Sequence, residues 1–184
     1  MSTLKFGLAA LALSLGAPAA FAQSLEVGSP ATDKDLAGYF AIQPDGEGLP
    51  PGSGTVSAGA KVYGERCAAC HGDKLQGVPA AGGPALVGGR GTLSSAKPVK
   101  TVESYWPYAS TLYDYVWRSM PFDQPGSLSA DEVYAVSAYV LAKGGVIAED
   151  ATMDASSLPK VEMPNAKGFY DGQGPDLSLY AAER

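Results

Sequence analysis

The apolar positions between residues 108 and 120 are spaced as on one face of an α-helix, with mostly polar residues between them. Pro121 follows directly, and a proline ring excludes a further helical turn. The pattern predicts an amphipathic helix over about Tyr108–Ser119, with Met120 at its C-terminal tip on the apolar face. That face comprises Ala109, Leu112, Tyr113, Val116, Trp117 and Met120.

A second helical pattern begins at Ser129, which forms a capping box with Glu132, and ends at the glycine pair 144–145. Lys143 lies in the last turn, where a cation favours the helix dipole. Almost every position between these ends is apolar, and a helix that is apolar on most sides is buried on most sides. The sequence therefore predicts a buried helix here.

An earlier helix is predicted from about Ser57 into the pentapeptide Cys67-Ala68-Ala69-Cys70-His71. Glycine inside a helix costs about 1 kcal/mol relative to alanine. A close crossing by another helix would offset that cost at Gly59, and Tyr139 is the expected contact. The inward face comprises Gly59, Val62, Tyr63, Arg66, Cys67 and Cys70.

The segments on either side of these helices are rich in turn residues. Residues 23–54 contain a dense run of glycine and proline, and residues 146–184 contain Pro159, Pro164 and Pro175 with little periodicity. We therefore predict an all-α domain of three or more helices at residues 55–145, between two long irregular arms at residues 23–54 and 146–184.

The first 22 residues are typical of a signal peptide, with Lys5, an apolar run over Gly7–Leu15 and the cleavage signal Ala20-Phe21-Ala22. A membrane anchor is the alternative, but the run is too short to span a bilayer readily, so no stable anchor is expected. Cleavage near Ala22 predicts a periplasmic protein of about 160 residues, enough for one domain. It also removes Lys5, the only charge in that segment, so the net charge changes from −6 to −7. This acidic balance argues against nucleic acid and anionic membranes as partners.

The pentapeptide Cys67-Ala68-Ala69-Cys70-His71 is typical of a covalent c-type haem site. Its two thiols can form thioethers to one porphyrin, and the imidazole can bind the iron. The chain has two cysteines and one histidine, all in this motif. A redox dithiol, half of a zinc site and a structural disulfide are the alternatives, but each lacks its usual context. We predict one covalent haem c held by Cys67, Cys70 and His71.

The second axial position of the iron is either filled by another side chain or vacant. With one histidine in the chain, ligation by two imidazoles is excluded. Met120 is the leading candidate because it ends an amphipathic helix on its apolar face, although a methionine there is more often a core residue. Met163 also precedes a proline and is the second candidate, and a vacant position is the third. His/Met ligation would raise the reduction potential and suit electron transfer.

The glycine-rich segment at residues 82–90 is suited to lie along the proximal haem face. The carbonyl of Pro84 could accept the Nδ1–H of His71, which would fix the tautomer and make the ring a better ligand. Arg90, Tyr105 and Trp106 are the candidates to bond a haem propionate, whose charge needs a donor if it is buried. A solvated charge is the alternative for Arg90, and core packing is the alternative for Trp106.

These motifs resemble those of class I cytochromes c. Gly59-x-x-x-Tyr63-x-x-x-Cys67 with the pentapeptide matches the family's first helix and haem motif. Gly83-Pro84-x-Leu86 matches its proximal loop, and Met120-Pro121 matches its distal ligand. The resemblance implies a class I cytochrome c fold around one haem.

A narrower resemblance is to the cytochrome subunits of bacterial sulfite and sulfur dehydrogenases, carried by the stretches at residues 44–54, 106–129 and 158–165. It implies electron transfer from a molybdenum sulfite dehydrogenase to a downstream cytochrome or oxidase. Some members of that group carry two haems, whereas this chain has one motif.

The sequence thus favours a periplasmic electron carrier with no catalytic residues of its own. A general carrier with a different donor is an alternative. A haem protein with an open sixth site, acting as an enzyme or a gas binder, is another, but no second histidine can serve as its distal group. The arms either pack on their own core or wrap a partner, which would make the chain a permanent subunit.

Overall fold

The structure, a computed structural model, describes residues 28–36 and 42–169. The chain divides into two units, Met1–Gly38 and Tyr39–Arg184. In the first unit the described residues contain one short helix, α1 (Asp33–Leu36). In the second they contain the strands β1 (Ser53–Thr55) and β2 (Thr152–Asp154) and the helices α2 (Val56–Arg66), α3 (Ala68–His71), α4 (Ala109–Ser119) and α5 (Ala130–Lys143).

The predicted signal peptide lies outside the described residues. Among the helices within the described ranges, none is long and apolar enough to cross a lipid bilayer.

The crossing of α2 and α5 forms the centre of the fold. Gly59 faces α5 so closely that an added Cβ would overlap the carbonyl of Ala135 and lie 2.8 Å from Tyr139 Cβ. The Thr55 hydroxyl caps α2 by accepting a hydrogen bond from the Ala58 N–H at 3.1 Å. The predicted close crossing at Gly59, with Tyr139 as a contact, is confirmed.

Helices α4 and α5 pack through their aromatic residues, and their ends follow the sequence signals. The rings of Tyr113 and Tyr134 lie 4.4 Å apart between centroids, and both side chains are buried. The capping box of Ser129 and Glu132 is present, and α5 ends at Gly144. Both predicted helices are confirmed to within a residue or so at each end.

The all-α prediction omitted a small sheet. Strands β1 and β2 pair antiparallel, with Ser53 opposite Asp154 and Thr55 opposite Thr152. Between them Gly54 packs so tightly on α5 that a Cβ would overlap the main chain of Ala135. Each strand has three residues, too few for an alternating pattern to be recognised in the sequence. The arms are therefore not irregular throughout, because each contributes to a strand.

Residues 42–54 of the N-terminal arm pack on the core of their own unit. The Ile42 N–H donates to the carboxylate of Asp114 on α4 at 3.0 Å. The Ser110 hydroxyl donates to the Pro44 carbonyl at 2.8 Å. These long-range hydrogen bonds hold the arm along α4.

The described part of the C-terminal arm, residues 146–169, also packs on the core of its own unit. Met153, Leu158 and Met163 are buried in the hydrophobic core. The side-chain amide of Asn165 donates to the Tyr105 carbonyl at 2.8 Å. Of the two arrangements considered for the arms, these residues adopt packing on their own core.

Candidate haem site

The pentapeptide with the two cysteines lies at a break between two helices. Helix α2 ends at Arg66, Cys67 leaves the helical conformation, and α3 begins at Ala68. The N–H groups of Cys70 and His71 both donate to the Cys67 carbonyl, at 3.1 and 2.9 Å. This compact turn presents both thiols and the imidazole within five consecutive residues.

No disulfide joins Cys67 to Cys70. Cys67 is half-buried, and burial raises the pKa of its thiol to about 11, with the charge of Arg66 opposing the shift and Cys70 adding to it. Within the described residues, no group of three or more His, Cys, Asp or Glu is arranged to hold a metal ion.

The imidazole of His71 is held by a main-chain oxygen. Its Nδ1 lies 2.8 Å from the Pro84 carbonyl oxygen. A carbonyl can only accept, so Nδ1 carries the proton and Nε2 keeps a lone pair that can bind a metal. The hydrogen bond also orients the ring as a metal ligand.

The loop that carries Pro84 is fixed on both sides by the main chain. The Val78 N–H donates to the Gly83 carbonyl at 2.9 Å, and the Leu86 N–H donates to the Leu75 carbonyl at 2.8 Å. At Gly83 a Cβ would overlap the carbonyl of Cys70. The loop can therefore lie against the cysteine motif because residue 83 has no side chain.

Tyr63 secures the other side of the motif. Its hydroxyl donates to the Gly72 carbonyl at 2.7 Å, and its ring lies 5.1 Å from that of Tyr139. Burial, with smaller contributions led by Cys67, raises the pKa of the Tyr63 phenol above its usual range. The phenol is therefore a permanent donor that ties residue 72 to α2.

Met120 forms the C-terminal cap of α4, and its N–H donates to the Val116 carbonyl at 3.0 Å. Its side chain is partly exposed, whereas Met153 and Met163 are buried in the hydrophobic core. Of the three methionines in the described residues, Met120 is therefore the one with an accessible side chain.

Arg66 connects the two sides of the site and was not singled out from the sequence as a site residue. Its Nη2 donates to Gln124 Oε1 at 3.0 Å and to Ser127 Oγ at 2.8 Å. Both acceptors lie in the segment Met120–Ser129, which we call the distal loop. The distal loop is thus tied to the residue that precedes Cys67.

Arg90 lies in a network at the end of the glycine-rich segment. Its Nε lies 2.6 Å from Glu103 Oε1, and its Nη2 donates to the Gly144 carbonyl. Glu103 also accepts from the Gly88 N–H. Glu103 was missed from the sequence, where it has no distinctive context. The propionate role of Arg90 stays a prediction.

Tyr105 and Trp106 follow Glu103. The Trp106 ring packs edge-on against Tyr115 at 5.7 Å between centroids, and it is partly buried against the core. The Tyr105 ring lies 5.2 Å from that of Phe169. Both side chains contribute to packing, and their propionate roles also stay predictions.

The residues present fit a covalently attached haem. Two unpaired thiols and one imidazole with a free Nε2 are the donor set that such a group requires. Large apolar side chains near Met120 in the sequence are exposed, Phe122 at 85% and Tyr115 at 48%. Exposed apolar surface of this kind is typical of a binding site.

Comparison with known proteins agrees with this geometry. A family model for cytochrome c matches residues 56–143. The structure is similar to a chain of the sulfane dehydrogenase SoxCD from Paracoccus pantotrophus, with a TM-score of 0.73, 40% identity and coverage of 88% of this chain and 79% of that one.

Two curated proteins match about half of the chain. A thiosulfate dehydrogenase from Stutzerimonas stutzeri (strain A1501) is 30% identical over 93 residues, 50% of this chain. Subunit FixP of a cbb3-type cytochrome c oxidase from Bradyrhizobium sp. (strain ORS 278) is 31% identical over 105 residues, 53% of this chain. This chain covers 28% and 31% of their respective lengths. With the family model and the SoxCD similarity, these matches show that the chain belongs to the cytochrome c family and carries one covalently bound haem c.

Proposed function

We propose that the chain is an exported, periplasmic cytochrome that carries single electrons from a molybdenum-containing sulfite dehydrogenase to a downstream cytochrome or oxidase. The observation that carries the proposal is the hydrogen bond between His71 Nδ1 and the Pro84 carbonyl. It orients the single histidine of the chain as one axial ligand, and because there is no second histidine, Met120 is proposed for the other position.

In this proposal Cys67 and Cys70 hold the porphyrin through thioethers, and His71 and Met120 are the axial ligands. When bound, the haem supplies a reversible one-electron change at iron. The Pro84 carbonyl orients the imidazole, and Met120 lies at the C-terminal end of α4. A His/Met pair raises the reduction potential and leaves no open position for a substrate. Arg90 and Trp106 are proposed to lie near the propionates.

The choice of donor rests on similarity. The SoxCD chain is 40% identical over most of this sequence, and a thiosulfate dehydrogenase also matches. Both names describe oxidation of sulfur compounds, and the match to an oxidase subunit is compatible with an oxidase as the acceptor. Contacts between redox partners of this kind are small and transient.

A spectroscopic comparison tests the ligand assignment. We expect the oxidised protein to show a methionine-to-iron charge-transfer band, which Met120→Ala abolishes. Met163→Leu is the matched control, and it should keep the band because Met163 is buried in the core. A band that survives in Met120→Ala and disappears in Met163→Leu would assign the ligand to Met163. No band in the wild-type protein would favour an open sixth site.

A kinetic experiment tests the donor. Sulfite and a purified molybdenum sulfite dehydrogenase are mixed with the oxidised cytochrome, and the reduced haem is followed with time. We expect two equivalents of cytochrome to be reduced per sulfite, because sulfite oxidation releases two electrons and each haem accepts one. If the cytochrome stays oxidised while the same dehydrogenase and sulfite still reduce a commercial electron acceptor, this donor is excluded.

A further inference from the structure

Arg66 joins the segment that attaches the haem to the distal loop. One nitrogen of its guanidinium, Nη2, donates to both Gln124 Oε1 and Ser127 Oγ, at 3.0 and 2.8 Å. Arg66 is the last residue of α2 and precedes Cys67, whereas both acceptors follow Met120 in the chain. A single side chain therefore bridges the two parts of the sequence that must enclose the haem.

Within the distal loop the main chain forms two successive turns. The Gln124 N–H donates to the Pro121 carbonyl at 2.9 Å, and the Ser127 N–H donates to the Gln124 carbonyl at 3.3 Å. Pro121 and Leu128 are buried near the two ends of the loop, but its middle is exposed. The contacts of Arg66 fall on this exposed middle, where burial does not hold the chain.

The charge of Arg66 also acts on a carboxylate at the start of α5. Glu132, in the first turn of α5, accepts hydrogen bonds from the main chain and hydroxyl of Ser129, which lower the pKa of its carboxyl. The charge of Arg66 lowers it further. The guanidinium thus has two neutral hydrogen-bond acceptors in the distal loop, and its charge also favours the ionised form of Glu132.

We propose that Arg66 is a positioning residue that holds the distal loop closed and so keeps Met120 in place as the axial ligand. The inference rests on the proposed function in one respect, the assignment of Met120. Arg66 makes the loop harder to open, and the loop must open before an external ligand can replace the methionine. The apparent affinity for an external ligand is proportional to the fraction of molecules in the open state, so a loop that is held closed binds such a ligand more weakly.

Titration of the oxidised holoprotein with imidazole measures this opening directly. We expect Arg66→Met, which keeps the length of the side chain and removes both hydrogen bonds, to bind imidazole about tenfold more tightly than wild type, equivalent to about 1.4 kcal/mol. The charge-transfer band should remain in the absence of imidazole. Arg66→Lys should fall between the two, because an ammonium keeps the charge but lacks the planar geometry of a guanidinium.

Two further variants control the experiment. Lys61→Met removes another exposed cation of α2, and its imidazole affinity should equal that of wild type. A variant with both Gln124→Ala and Ser127→Ala should reproduce Arg66→Met, and adding Arg66→Met to it should change nothing more, because the same contacts are already lost. This acceptor variant also carries the test if Arg66→Met does not yield holoprotein.

The inference is overturned if the affinities of Arg66→Met and of the acceptor variant stay within twofold of wild type, or if Lys61→Met changes affinity as much as they do. Failure of the ligand assignment looks different. In that case the wild-type protein lacks the charge-transfer band, or Met120→Ala leaves both the band and the imidazole affinity unchanged. The two failures are therefore distinguishable in one set of spectra.

Discussion

Replacing Gly59 by alanine tests whether the crossing of α2 and α5 depends on the absence of a side chain. The added Cβ would overlap the carbonyl of Ala135 and approach Tyr139 Cβ to 2.8 Å. One of these atoms is main chain and the other is the root of a side chain, so neither can rotate away. Helix α5 must move, or the contact between the helices must open.

Two opposing contributions set the change in the free energy of unfolding caused by Gly59→Ala. Alanine in place of glycine in a helix interior stabilises by about 1 kcal/mol. Overpacking a close contact costs about 1–3 kcal/mol, and overlap with a main-chain carbonyl places Gly59 at the upper end of that range. We therefore expect a net loss of about 2 kcal/mol in the free energy of unfolding.

Gly64→Ala is the matched control, since Gly64 lies on the same helix and a Cβ there meets nothing within 4 Å. This variant should be more stable than wild type by about 0.5–1 kcal/mol. Urea unfolding of the two holoproteins, followed by circular dichroism, isolates the steric cost because the change in helix propensity is common to both. The reasoning is refuted if Gly59→Ala is as stable as Gly64→Ala.

Two further predictions concern an exposed turn and the loop over the cysteine motif. Hydrogen bonds from residues 156–157 lower the pKa of Asp154 from 3.8 to about 2, so they stabilise the fold above pH 3.8 and are lost as the pH falls towards 2. In urea unfolding, the difference in unfolding free energy between wild type and Asp154→Asn should therefore shrink between pH 3.8 and pH 2. A difference that stays constant over this interval would contradict the prediction. Gly83→Ala should displace the loop from Cys70 and weaken the hydrogen bond to His71, which should raise the reduction potential of the haem. Redox titration measures the potential, with Gly64→Ala as the control. An unchanged potential in Gly83→Ala would contradict the prediction.

The helices were predictable because their signals are local. The capping box of Ser129 and Glu132 spans four residues, and Pro121 marks the end of α4 by itself. The pairing of β1 with β2 was not predictable, since each strand has three residues and its partner lies about a hundred positions away. Nothing in either segment specifies that partner.

In the haem site, too, features encoded by nearby residues were predictable and contacts between distant residues were not. The haem motif was predictable because two thiols and an imidazole occur within five residues. The hydrogen bonds of Arg66 join residues 58 and 61 positions apart, and no periodicity links them. For Arg90 the sequence showed a cation, but only the fold brings Glu103 to it.

The hydrogen-bond acceptor for His71 is a main-chain oxygen, which every amino acid provides. A mutational scan would therefore find position 84 tolerant wherever the replacement keeps the local main-chain path. Position 83 would be intolerant, although that residue has no side chain with which to touch the imidazole. Sequence variation near His71 is thus limited at residue 83, where a side chain would overlap the Cys70 carbonyl, rather than at residue 84, which supplies the hydrogen bond.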